Sequence, residues 1–395
     1  MVERMLRLGK NRSVIRELFE YGNARKKEIG EDKVFDFSLG NPSVPAPESV
    51  SNTLSRLIAE TDAAKLHAYT SAPGDMSVRT AIAEHIRRSY GAEASPQRIY
   101  MTAGAAASLT ITIAALVNPG EEVAVPVPFF PEYTVFAENA GAKLVPFLSR
   151  QGDFQIDRES LEKAIGEKTR ALIINSPNNP SGAVLSRESL ETIAQVLSEK
   201  SAEYGSTIYL ISDEPYRELV YGDIEVPWLP SIYPHTIVCY SYSKSLSLPG
   251  ERIGYIFVGP DAEQGDEVYA AVCGAGRSLG FVCAPSLFQF LIKDCVGESS
   301  DMAVYRENRE LLYNSLSQMG YEMVKPDGAF YLFVKSPEAD ANAFSRRAKD
   351  YELLLVPSDD FGCPGYVRIA YCVSTQQCIN SLPAFRALAE SYGIK

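Results

Sequence analysis

The chain has 395 residues, 46% of them hydrophobic, and it is acidic, since 38 basic against 50 acidic side chains give a net charge of −12. That length buries a large core and favours two or three structural units, while the charge repels nucleic acid phosphates and anionic membranes. Seven cysteines, Cys239, Cys273, Cys283, Cys295, Cys363, Cys372 and Cys378, are odd in number and scattered without a C-x-x-C pair, so free thiols in a reducing cytoplasm are expected.

The first ten residues are too polar for a secretion signal, and no apolar run approaches the roughly 18 residues of a membrane span. An amphipathic helix over 13–22 and a Pro-rich turn region after Gly40 form an N-terminal segment, 1–47, expected to pack with the smaller of two domains. Short β-branched or apolar runs then recur between helical stretches, at 98–102, 122–127, 143–148, 171–175, 207–212, 236–241 and 252–258. This alternation predicts an α/β domain over 48–285 with a mostly parallel sheet flanked by helices. Beyond it the pattern changes to helices over 286–295 and 302–319 and strands over 328–334 and 366–372, which predicts a smaller α/β domain over 286–395. Ligands of open α/β sheets gather beyond the carboxyl ends of strands, and the chemically informative residues fall there.

Gly104-Ala105-Ala106 follows a strand and opens a helical run over 107–116, so small residues let backbone N–H groups at a helix N-terminus approach an anion. The same tripeptide also suits simple helix–sheet packing. Asn179 stands in a Pro- and Gly-fixed loop after the next run but two. Asp213 ends the apolar run 207–212 and is followed by Tyr216; a carboxylate there either caps a helix or holds a heteroaromatic nitrogen protonated. In Ser241-Tyr242-Ser243-Lys244 one lysine lies among hydroxyls, with Arg252 eight residues on. That set suits a lysine that bonds to a phosphorylated aldehyde, because the amine must be partly desolvated and the phosphate needs charged and hydroxyl donors. Three histidines, His67, His85 and His235, show no ligand spacing, so no metal is expected.

Together and in order these residues resemble the class I and II aminotransferases of the pyridoxal-phosphate fold type I group, the aspartate aminotransferase-like superfamily. The resemblance runs from Gly40-Asn41-Pro42 to Val367-Arg368-Ile369 and rests most on N-P-x-G at Asn179, D-x-x-Y at Asp213 and Tyr216, and S-x-S-K at Ser241 to Lys244 with Arg252. It implies the fold type I architecture and pyridoxal 5'-phosphate as cofactor. It further implies Lys244 as the Schiff-base lysine and proton shuttle, Asp213 as partner of the ring nitrogen, and Tyr216 with Asn179 as partners of the ring oxygen. Gly104, Ala105, Ala106, Ser241, Ser243 and Arg252 would hold the phosphate, and Phe130 would stack on the ring. Tyr69 resembles the tyrosine that reaches the neighbouring subunit's phosphate, which implies a homodimer with shared sites. Arg368 matches the arginine that clamps the substrate carboxylate through paired hydrogen bonds, with Gly40 and Phe330 beside the substrate.

The implied reaction is a ping-pong transamination through pyridoxamine phosphate, moving an amino group between an L-amino acid and a 2-oxo acid. Arg277, read as standing in a Gly-rich stretch, is the candidate for a dicarboxylate side chain, which would make aspartate and glutamate the substrates. Without it the pocket suits neutral or aromatic amino acids. A β-C–S lyase uses the same cofactor residues and stays open as an alternative. A ligand-sensing module is disfavoured, because the fold consumes the chain and leaves no basic DNA-binding domain.

Overall fold

The computed structural model describes residues 1–10 and 13–394. Two compact units emerge: a larger one, Val44–Asn179 with Ala183–Asp301, and a smaller one, Met1–Ser43 with Pro180–Gly182 and Met302–Lys395. The strands in chain order are β1 (Phe35–Asp36), β2 (Ile99–Thr102), β3 (Glu122–Val127), β4 (Lys143–Leu148), β5 (Thr169–Asn175), β6 (Tyr209–Asp213), β7 (Thr236–Ser241), β8 (Gly254–Val258), β9 (Tyr331–Lys335), β10 (Leu353–Leu354), β11 (Val356–Pro357) and β12 (Tyr366–Ala370).

In the larger unit seven strands form one sheet in the order β2-β8-β7-β6-β5-β3-β4. β8 runs antiparallel to both neighbours, and every other pair is parallel. Helices cover both faces, as parallel strands require, and the period-2 alternation of side chains divides the core accordingly. Ile173, Ile211 and Ile237 meet Leu109, Ile111 and Ile113 of helix Ala105–Leu116 on one face. Leu172, Ile174 and Leu210 meet Leu190, Ile193 and Leu197 of helix Arg187–Tyr204 on the other.

The boundary expected after Pro285 lies instead after Asp301. Helix Ser286–Cys295 turns Leu291, Ile292 and Cys295 into the same core as Val78, Ile82 and Ile86 of helix Met76–Tyr90, so its apolar face is spent within the larger unit. The smaller unit holds the antiparallel sheet β11-β12-β9 and the parallel pair β1-β10, with helices Ala303–Gln318 and Thr375–Ser391 packed on each other.

Register sets the stage for chemistry in the larger unit. Asn175 pairs with Asp213, and Asp213 with Cys239, so β5 and β6 finish level and β7 runs two residues further, to Ser241. Gly254 pairs with both Thr102 and Ser241. Because β8 runs the other way, the residues just before it, Arg252 among them, meet those just after β2 and β7, namely Gly104 and Ser243.

Candidate active site

That register produces an anion cradle. Gly104 has φ +84, and a Cβ there would stand 2.8 Å from Nη2 of Arg252, so the guanidinium rests directly on the glycine. Helix Ala105–Leu116 begins at this point with no side-chain cap, which leaves its first N–H groups, including those of Ala105 and Ala106, as orphan donors at the positive end of the helix dipole. Arg252 itself is held in the left-handed region at φ +52, a conformation that costs a non-glycine residue about 1 kcal/mol or more. Its Nη1 donates to Pro249 O at 2.8 Å and approaches Ser243 Oγ at 3.5 Å. Ser243 and Ser241 share a hydroxyl contact of 2.7 Å, and Ser241 Oγ also caps the short helix Tyr242–Ser245 by accepting from Ser243 N–H. One cation, two hydroxyls and a free helix N-terminus thus converge, a donor set suited to a phosphate group. Lys244, partly exposed, is the third residue of that short helix and extends from the end of β7.

Asp213 ends β6 in full burial, at 4% exposure. Tyr133 Oη donates to its Oδ2 at 2.5 Å, while Oδ1 is buried without a hydrogen-bond partner in the protein. Burial pushes its carboxyl up to about 7; the Tyr133 hydrogen bond opposes that rise and the Glu214 carboxylate adds to it. Burial likewise drives the Tyr133 phenol well above its ordinary value, with Asp213 adding to it. A buried carboxylate oxygen with no donor is the arrangement that a protonated ring nitrogen would satisfy.

Around it the loops are tied together by amides. Asn175 Nδ2 donates to Asp213 O at 2.9 Å, and its Oδ1 accepts from Asn179 N–H at 2.7 Å, which fixes Asn179 relative to the end of β6. Asn178 Nδ2 reaches Pro128 O at 3.3 Å and so links this loop to the Pro128-Phe129-Phe130 turn. Phe130 packs edge-on against Tyr133, ring centroids 5.7 Å apart, and stays partly exposed. Tyr216 is 5% exposed in the turn after β6. The sequence reading singled out neither Tyr133 nor Asn175. Tyr133 sits in the very segment read for Phe130, and Asn175 is a lone polar residue closing an apolar strand; both are signals that strand-end polarity offered.

Other expected residues lie elsewhere. Tyr69 is 96% exposed, with its loop held from behind: Gln289 Nε2 donates to Thr70 Oγ1 and Cys283 Sγ approaches Thr70 O. Arg277 is exposed in the last turn of helix Gly265–Ser278, not in a Gly-rich loop, because Gly276 serves helix packing by letting Tyr100 lie against its backbone.

In the smaller unit Arg368, on β12 and 2% exposed, donates through Nη2 to Ser38 O at 2.6 Å and lies over the rings of Tyr331 and Phe361 at 4.7 and 5.3 Å. Gly40 is required locally, since any Cβ would run into the Tyr331 hydroxyl. Phe330 corrects an expectation: at 0% exposure, wedged between Tyr305 and Tyr331, it is a core residue with no surface to offer a substrate. Among the described residues no group of three His, Cys, Asp or Glu could hold a metal ion, and no helix is long and apolar enough to cross a membrane.

Known proteins match this chain along most of its length. The family described as aminotransferase class I and II matches residues 32–384. A crystal structure of an amino transferase from Eubacterium rectale is 51% identical and superposes with a TM-score of 0.97 over 99% of both chains. An aspartate aminotransferase of Thermotoga maritima is 30% identical over 360 residues, 89% of this chain and 90% of the relative. The Thermus thermophilus aspartate aminotransferase solved with maleate is 26% identical, with a TM-score of 0.86 over 98% and 99% of the two chains. These matches favour transamination over the lyase and sensing readings.

Proposed function

Because the chain belongs to the class I and II aminotransferase family, we propose that it moves an amino group between aspartate or glutamate and a 2-oxo acid, with pyridoxal 5'-phosphate held at the ends of β5, β6 and β7. The observation that carries the cofactor reading is the buried, unpartnered Oδ1 of Asp213. When bound, the cofactor supplies an aldehyde for an amine to attack and a cationic ring that accepts electrons from the substrate Cα. Everything else is the work of this chain's own side chains.

Arg252, Ser241, Ser243 and the free N–H groups after Gly104 anchor the phosphate. Asp213, ionised by its cationic partner and oriented by Tyr133, keeps the ring nitrogen protonated. Asn179, held by Asn175, and Tyr216 donate to the ring oxygen, and Phe130 stacks against the ring. Lys244 Nζ would hold the aldehyde carbon, and the same amine, once displaced, would take the substrate Cα proton and return it as general base and acid. Arg368, fixed by Ser38 O and two aromatic rings, pairs with the substrate α-carboxylate. Tyr69 reaches out to a second copy of the chain, in a homodimer with shared sites.

The dicarboxylate preference draws its support from the aspartate aminotransferase relatives, and Arg277, exposed and cationic, is the side chain proposed to meet the second carboxylate. The test is a single-turnover panel: aspartate, glutamate, alanine, phenylalanine and cystathionine, each mixed with cofactor-loaded protein. Oxo acid formed fastest from aspartate or glutamate, and slowed in Arg277→Ala for those two alone, is the expected outcome. Equal or faster turnover of phenylalanine or alanine would overturn the preference, and pyruvate release from cystathionine would overturn the transaminase reading.

A further inference from the structure

Next to the short helix that carries Lys244 lies a carboxyl group for which the reaction above has no use. Glu218, in the turn that follows β6, is partly exposed as a residue, yet its Oε2 is buried without a hydrogen-bond partner. Its Oε1 stands 2.8 Å from Tyr240 Oη, and that same hydroxyl stands 2.9 Å from Ser245 Oγ. Ser245 is the residue after Lys244, is 1% exposed, and is pinned on its backbone side, its carbonyl accepting from Ser300 N–H at 2.7 Å. Glu218, Tyr240 and Ser245 therefore form a hydrogen-bonded row that ends one residue from the lysine.

Proton counting leaves two arrangements. A phenol carries one hydrogen, so Tyr240 donates to only one of its two neighbours. With Glu218 ionised, Ser245 donates to Tyr240 and Tyr240 to Glu218. With Glu218 protonated, its proton finds an acceptor on the Oε1 side and none beside Oε2, so the row runs the other way: Glu218 donates to Tyr240 and Tyr240 to Ser245.

The surroundings choose between them. The adjacent cation, Arg217, is committed elsewhere: Nε and Nη2 donate to the Glu214 carboxylate at 2.5 and 2.8 Å, and Nη1 and Nη2 to Val226 O and Pro227 O at 3.0 and 3.2 Å. It also lies against the rings of Tyr90 and Trp228, at 5.0 and 5.1 Å. Glu214 and Arg217 cancel each other, and the other titratable groups facing Glu218 are phenols, Tyr90, Tyr240, Tyr242 and Tyr255, each raised above its ordinary value first of all by burial. An ionised Glu218 would add an uncompensated negative charge, with one oxygen neither solvated nor bonded. A neutral acid leaves only a carbonyl oxygen unpaired, at a much smaller cost. In keeping with this, burial raises the Glu218 carboxyl above its ordinary range, against the opposing pull of Tyr240, Arg217 and its own backbone N–H, with Glu214 adding to the rise.

We propose that Glu218 is held as a neutral carboxylic acid and is a positioning residue for Lys244: it donates to Tyr240, Tyr240 donates to Ser245, and Glu218 adds no negative charge beside the helix that carries the lysine. The consequence for the lysine follows from sign. A buried anion nearby would stabilise the ammonium form, whereas a neutral neighbour lets the amine lose its proton and act as nucleophile and base. The positioning half rests on the reading of Lys244 as the cofactor-bonding lysine; the protonation half does not.

Two measurements on the full-length, cofactor-loaded protein test it. The first is the infrared difference spectrum between wild type and Glu218→Gln at neutral pH. A carboxylic-acid carbonyl band, present in wild type, absent from the variant and shifted in heavy water, is expected; lack of that band would overturn the proposal. The second is the pH titration of the visible absorbance of the lysine-bound cofactor. A glutamine amide donates to Tyr240 in the same direction as the acid, so the midpoint in Glu218→Gln is expected to stay within a factor of two in proton concentration of wild type. A tenfold or larger displacement would mean that Glu218 carries charge, and would overturn the proposal. Tyr240→Phe cuts the row while keeping the ring, and is expected to lower kcat about tenfold with KM within twofold; unchanged kcat would refute the positioning half. If wild type forms no visible band, the reading of Lys244 fails, while the infrared spectrum still decides the state of Glu218.

Discussion

Replacing Asp213 by asparagine separates what this residue costs the fold from what it gives the reaction. The side chain is 4% exposed, Tyr133 donates to one oxygen, and the other has no donor, so in the cofactor-free protein its charge is poorly compensated. Its carboxyl is pushed from an ordinary 3.8 to about 7. For an acid raised on folding, the penalty is absent at low pH, where both states are protonated, grows as the unfolded chain loses its proton, and is complete above the folded value. At about 1.4 kcal/mol per pH unit the full penalty is ~4 kcal/mol above pH 7, of which roughly a third has developed by pH 5. Asparagine has nearly the same shape and does not titrate. Cofactor-free Asp213→Asn should therefore gain on wild type between pH 5 and pH 8 by ~3 kcal/mol, seen as a widening of the gap in melting temperature by roughly 3–6 °C. Thermal melts followed by circular dichroism at the two pH values measure it. Loading the cofactor should reverse the order at pH 8, because the ionised carboxylate then has its cation, and the variant should turn over far more slowly. A gap that does not change with pH, or a cofactor-free wild type that gains on the variant as pH rises, would refute the reasoning.

Further outcomes follow from the same geometry. Lys244→Ala should keep the wild-type circular dichroism and lose both the visible absorbance of the lysine-bound cofactor and all turnover; residual full activity would sink its assignment. Arg252→Ala removes a charge-assisted anchor worth about 1.5–3 kcal/mol, so cofactor affinity by equilibrium dialysis should fall roughly 10- to 100-fold, and unchanged affinity would contradict the cradle. Gly104→Ala places a Cβ 2.8 Å from the Arg252 guanidinium at φ +84, and should weaken the cofactor in the same assay without touching Arg252 itself. Arg368→Gln should leave the loaded spectrum as it is and lower kcat/KM for amino acids by about two orders of magnitude, since a bidentate charged pair becomes at best one neutral bond.

Much of the fold is legible in the sequence, because each buried strand is a compact β-branched run closed by a residue that cannot continue it. The runs at 122–127, 143–148 and 236–241 coincide with β3, β4 and β7, and the rest fall within three residues of the strands observed. The placement of Asp213, Lys244 and Arg252 at the borders of β6, β7 and β8 was legible for a related reason: a polar or charged residue bordering an apolar strand has to have a partner. What escaped depends on tertiary context. Helix Ser286–Cys295 has an apolar face that suits either unit, and only the core around Val78 and Ile82 decides which one takes it. Tyr133 donates to an acceptor eighty residues away in the chain, which no local spacing encodes. Phe330 looked like a pocket residue because it adjoins Tyr331, but the rings of Tyr305 and Tyr331 enclose it just before β9 begins. Arg277 was read as standing in a Gly-rich stretch, whereas it lies in a helix in which Gly276 allows the close approach of Tyr100.

The most direct test of the account is the absorbance spectrum of purified, cofactor-loaded protein on addition of aspartate. A visible band that Lys244→Ala lacks is expected, lost on addition of aspartate with one equivalent of oxo acid formed per site and restored by adding a 2-oxo acid. A protein that shows no such band, or one that releases pyruvate from cystathionine while the band persists, would contradict it.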